Sequence, residues 1–111
     1  MIATIDATRI TDWDSFHSVF AETLGFPDFY GCNMNAWIDC LTYIDDPGDR
    51  MTAFRVEPGQ CLTLSIEGAT EFAARCPEQF SALVDCTAFV NYRRIESGEP
   101  ALLALAYFRV V

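Results

Sequence analysis

A chain of 111 residues has room for one ordinary domain and little beside it. Hydrophobic residues make up 51% and charged residues 21%, which is too apolar for intrinsic disorder and too interrupted by polar positions for a membrane protein. Against 16 acidic side chains stand seven arginines and no lysine, a net charge of -9, so nonspecific binding to nucleic acid phosphate is disfavoured, whereas a basic protein partner would be drawn in.

The segment Met1 to Asp6 has neither the basic region nor the long apolar region of a secretory signal. The longest apolar run, Ala101 to Phe108, is eight residues, far short of the ~18 that a spanning helix needs. A cytoplasmic location without membrane contact is expected. Cysteines stand at 32, 40, 61, 76 and 86, an odd set with no C-x-x-C pair, which fits neither a disulfide framework nor a zinc site. Small buried thiols in a reducing compartment are expected instead, and no cofactor or metal is called for.

In chain order, Ile2 to Ile5 reads as a short strand. Thr11 and Asp12 offer cap oxygens to a helix whose Phe16, Val19, Phe20 and Leu24 recur at helical spacing, with Gly25 as its stop. After the turn-rich stretch from Phe26 to Gly31, Asn33 caps a second helix running to about Tyr43 or Ile44, where Asp45-Asp46-Pro47-Gly48-Asp49 breaks it. Residues 51 to 60 are ambiguous. Cys61 to Ile66 reads as a strand, Thr70 to Arg75 as a short helix, and Pro77 as the first residue of a longer helix that buries Phe80, Leu83, Val84, Thr87 and Val90 and ends near Gly98. Ala101 to Phe108 suits a buried strand. Strands separated by helices need crossover connections, so the expectation is a single α/β domain over 1–111, a three-stranded parallel sheet with about four helices in the order β-α-α-β-α-α-β.

The second helix carries the most specific signal. With ~100° per residue and Asn35 set at zero, Asp39 falls at about 40° and Thr42 at about 340°, whereas Met34, Trp37, Ile38 and Leu41 fall between about 200° and 300°. The apolar arc is expected to bury against the sheet or the first helix, leaving Asn35, Asp39 and Thr42 outward with Phe29 and Tyr30 on the loop before them. Aromatic rings beside hydrogen-bonding groups are what interface hot spots require. An ordinary solvated helix face has the same composition.

The run Phe26-Pro27-Asp28-Phe29-Tyr30-Gly31-Cys32-Asn33-Met34-Asn35-Ala36-Trp37-Ile38-Asp39-Cys40-Leu41-Thr42 closely resembles the signature loop and second helix of the barstar family, intracellular protein inhibitors of ribonucleases of the barnase type. The most specific part is the spacing of Tyr30, Gly31, Asn33, Asp39, Cys40 and Leu41, and the stretches Cys76 to Phe80 and Phe89 to Arg94 are also similar to the family. The resemblance implies an inhibitor rather than an enzyme, one that plugs a nuclease active site with its acidic second helix and the preceding loop as a monomer in a 1:1 complex. It assigns the partner-binding set as Phe29, Tyr30, Gly31, Asn33, Asn35, Asp39, Thr42 and Tyr43, with Asp39 as the central carboxylate set where a substrate phosphate would lie.

Three departures bear on the target. Asn35 stands where the family has a second acid, Phe29 where it has a tyrosine, and the stretch Asn91 to Arg94, where another interfacial acid would fall, holds none. Two charged contacts are thereby missing, which points away from barnase itself and towards a different basic ribonuclease or related toxin. A barstar-fold interaction or regulatory domain that no longer inhibits a nuclease is the alternative reading. Catalysis has little support, since His17 with Asp14 one turn before it lacks an assignable Ser or Cys nucleophile. Asp45-Asp46-x-x-Asp49 lacks the ligand spacing of a calcium loop and reads as a solvated turn. Arg93 and Arg94 read as the basic last turn of a helix, interacting with its own terminal carbonyls.

Overall fold

The computed structural model describes residues 1–46, 48 and 52–110. Its elements run β1 (Ile2–Asp6), α1 (Trp13–Leu24), α2 (Met34–Thr42), β2 (Leu62–Glu67), α3 (Ala69–Arg75), α4 (Pro77–Glu96) and β3 (Leu103–Tyr107). This is the expected order β-α-α-β-α-α-β. The three strands form one parallel sheet with β2 in the middle, pairing Ile5 with Ile66 on one side and Leu64 with Leu105 on the other. One element was not foreseen, a 3-10 turn over Ala7–Arg9. Its Ala7 carbonyl, and that of Ile10, accept bonds of 2.9 Å from the guanidinium of Arg75 on α3.

Local chemistry explains the helix bounds. Asp12 caps α1 by accepting from the Ser15 amide, and the Ser15 hydroxyl accepts in return from the Asp12 amide, which satisfies two of the donors a helix start leaves unpaired. Gly25 ends α1 with φ +63, and a Cβ there would come within 2.5 Å of the Ala53 Cβ. The Ala53 and Phe54 amides bond the carbonyls of Gly25 and Leu24, so the segment after α2 is strapped across this turn. Residues 52–60 form no helix or strand. Asn33 caps α2 through the Ala36 amide at 2.8 Å.

The core gathers Ile5, Leu62, Leu64 and Ile66 from the sheet, Phe16, Phe20 and Leu24 from α1, Trp37 and Leu41 from α2, Phe72 from α3, and Leu83 and Val90 from α4. Each such side chain contributes roughly 1.5 to 3 kcal/mol of burial. Several expectations need correction. The main packing partner of α2 is α4, not the sheet or α1, although Trp37 does meet Phe20 of α1 edge-on at 5.7 Å. Val84 is more than a third exposed, because it lies beside the buried stripe and lines an open groove with Pro77, Phe80 and Arg109. The last strand lies at the sheet edge, so burial fades from Leu103 to an exposed Tyr107. Cys40 and Cys76 are buried as expected, but Cys32 and Cys61 are exposed, being on loops before the elements that would cover them. Among the described residues no helix is long and apolar enough to cross a membrane.

Candidate partner-binding face

Burial of Trp37, Ile38, Cys40 and Leu41 turns one side of α2 inward and leaves a narrow outer stripe. Asn35, Asp39 and Tyr43 lie on it at intervals of four residues, all exposed, as side chains on one helix face must. Asp39 is the only charged residue of α2, and its side chain is 52% accessible. Phe29, on the incoming loop, is the most open of the aromatics there, at 79%.

Thr42 does not belong to the stripe. It is buried, and its hydroxyl donates to the Ile38 carbonyl at 2.6 Å. An ideal helical wheel puts it outward, but α4 covers this end of α2, and the Thr42 carbonyl accepts a bond of 3.1 Å from Arg94. Thr42 therefore supports the face from behind.

Tyr30 is likewise turned inward. Its ring packs on Phe26 at 4.7 Å and its hydroxyl meets Nδ1 of His17 at 2.6 Å. Burial pushes the Tyr30 phenol well above its ordinary value, with smaller contributions from the thiols of Cys40 and Cys32. Burial also lowers His17 below its ordinary value, against an opposing pull from Asp14. The pair is a structural clasp between α1 and the loop. Gly31 follows it in the open, its carbonyl accepting from the Asn33 side chain at 3.2 Å, and Cys32 adopts a left-handed φ of 51. Gly31 and Asn33 shape the entry to α2 and are both exposed there.

Two arginines complete the surroundings, both in the last turn of α4 as expected. Their partners differ from expectation, since among the described residues neither guanidinium bonds the terminal carbonyls of α4. Arg93 gives Nη1 to Oδ1 of Asp39 at 3.0 Å, and Arg94 grips both oxygens of Asp45 at 2.6 and 2.7 Å. Asp45 is therefore a buried ion-pair partner, not part of a solvated turn. Asp46 is exposed and accepts from the Gly48 amide, while Asp49 lies outside the described residues. Asn91, in the stretch where a further interfacial acid was sought, faces β3 instead, accepting from the Leu102 and Leu103 amides and donating to the Leu103 carbonyl. Beside Asp39, the ends of α2 and α4 frame an open cleft of about 350 Å³ walled by Tyr43, Tyr92, Arg93, Glu96 and Glu99. Its residues come from distant parts of the chain and left no local signal.

The chain is a small α/β domain, a three-stranded parallel sheet whose second helix carries one carboxylate on its outer side. The sequence profile of the family described as "Barstar (barnase inhibitor)" matches residues 1–105, and the chain belongs to the barstar family. Comparison with curated proteins gives no match.

Proposed function

We propose that this chain is a ribonuclease inhibitor or immunity protein, a monomeric cytoplasmic domain that occupies the active site of a basic ribonuclease or related toxin in a 1:1 complex. The observation that carries the reading is Asp39, a half-exposed carboxylate on a stripe without other charge, in a chain matched to a family of barnase inhibitors. A pocket built to bind RNA phosphate offers Arg, Lys or His donors, and a rigidly presented carboxylate accepts the same charge-assisted bonds. Asn35, with an amide in place of a charge, and the open ring of Phe29 supply hydrogen bonding and stacking beside it. Tyr43, Gly31 and Asn33 extend the exposed face on either side, while Tyr30 and Thr42 hold the loop and helix in shape.

The experiment is quantitative capture from the native host with the wild-type chain and Asp39→Ala as parallel baits, followed by ribonuclease assay of what binds. Recovery of a ribonuclease by the wild type, its inhibition at 1:1 stoichiometry and its loss with Asp39→Ala are expected. A second reading, an interaction domain that no longer inhibits a nuclease, draws on the ion pair that already engages Asp39 from within the chain. It predicts partners without ribonuclease activity and binding indifferent to Asp39.

A further inference from the structure

We infer that Arg93 is a specificity-determining residue of this face, a built-in counter-ion of Asp39 that an incoming cation has to displace. The inference rests on the inhibitor reading above. Arg93 stands in the last turn of α4 and reaches Asp39 through one hydrogen bond, Nη1 to Oδ1 at 3.0 Å. Its side chain is 33% accessible, and no other hydrogen bond to its guanidinium is present among the described residues. The contrast with the next residue is informative. Arg94 is 12% accessible and bound through both Nη atoms to Asp45, so it is fixed, whereas Arg93 is held loosely at the surface.

A single charge-assisted bond between partly exposed groups is weak and gives way on docking. Left in place, however, Arg93 sets a positive charge beside the carboxylate that a partner's cation must approach. The displaced guanidinium has somewhere to go. Glu96 lies three residues further along α4, a separation at which helix side chains meet, and Glu96 and Glu99 line the same cleft as Arg93. Neither glutamate holds an ion pair among the described residues. Arg93 therefore dampens the long-range pull of Asp39 and penalises partners offering a single ammonium, while a cleft of clustered guanidiniums, which forms paired bonds with a carboxylate, replaces it. Such rejection of wrong partners is a common source of specificity.

The test uses the full chain against the ribonuclease that the capture experiment recovers, with association rates and affinities measured at low and high salt. The variants are Arg93→Gln, Arg93→Lys, Asp39→Ala and the double substitution of Asp39→Ala with Arg93→Gln, each checked for folding by thermal unfolding. Arg93→Ala replaces Arg93→Gln should the latter not fold. Arg93→Gln is expected to bind on the order of ten-fold tighter than wild type at low salt, mainly through faster association, with the gain shrinking as salt screens it. Arg93→Lys stays close to wild type, and the double variant shows no gain. Arg93→Gln binding no better than wild type overturns the counter-ion role. Loss of binding in Asp39→Ala with Arg93→Gln unchanged overturns that role alone, whereas Asp39→Ala binding as well as wild type overturns the inhibitor face beneath it.

Discussion

The phenol of Tyr30 and Nδ1 of His17 meet at 2.6 Å, so an aromatic from the candidate binding loop is fastened to the buried side of α1. The contact spans 13 residues of sequence and fixes the loop before α2 begins. Tyr30→Phe keeps the ring packing on Phe26 and removes only the hydroxyl. It leaves the His17 nitrogen unpartnered in buried surroundings, which costs about 1 to 2 kcal/mol. Chemical denaturation checks the value, and Phe29, which makes no such bond, is expected to tolerate substitution with little change in stability.

His17 also sets a pH dependence. Its folded pKa lies below the ordinary 6.5 because burial disfavours the imidazolium. The unfolded chain thus takes up the proton first. The stability held by neutral His17 is complete above about 6.5 and declines as pH falls from there towards the lower folded value. Asp12 acts further down, because its bonds from Ser15 hold the carboxyl below its ordinary 3.8 and favour the folded chain until acid protonates it. Denaturation midpoints across mild acid, with His17→Gln as control, check the first of these. The decline near neutrality is expected to flatten in the variant.

Arg94 and Asp45 form a buried pair with one further bond to the Thr42 carbonyl. Removing one partner strands the other, so Asp45→Ala is expected to cost on the order of 3 to 5 kcal/mol, the more so because Arg94 Nε already lacks a partner. A double replacement of both residues with apolar side chains is expected to recover much of the loss. Urea denaturation of the two single variants and the double variant measures the coupling.

Asn91 gives β3 its start. Its carbonyl oxygen takes the Leu102 and Leu103 amides at 2.9 and 2.8 Å, and its amide nitrogen returns a bond to the Leu103 carbonyl. Asn91→Ala leaves three backbone groups without a protein partner and is expected to cost about 2 to 3 kcal/mol. Asn91→Asp keeps the acceptor but sets a carboxylate against a carbonyl, so it is expected to fall between the two. Thermal unfolding ranks the three proteins, and hydrogen exchange at Leu102 and Leu103 locates the loss.

Elements with local punctuation were legible in the sequence. Asp12, Gly25, Asn33 and Pro77 each supply a cap or stop whose chemistry acts within a few residues, and all stand at helix ends in the structure. The inward arc of α2 was legible for the same reason, since Trp37, Ile38 and Leu41 repeat at the helical period. What escaped depends on neighbours that meet only after folding. Thr42 lies on the polar side of the wheel, yet α4 covers it. Arg93 and Arg94 are adjacent in sequence, and only the position of α2 sends one to an exposed acid and the other to a buried acid. Cys61 was expected to be buried, but a pattern of alternation does not say where a strand begins to be covered, and β2 starts one residue later.

Binding of the host ribonuclease by the wild-type chain and by Asp39→Ala tests the central claim most directly. With one carboxylate facing a cationic cleft, truncation leaves the partner's buried cations unpaired, a loss on the order of 2 to 5 kcal/mol. The account predicts a 1:1 inhibitory complex weakened by that amount in Asp39→Ala while its unfolding curve stays near that of the wild type. Equal affinity of the two proteins for the same ribonuclease would contradict it.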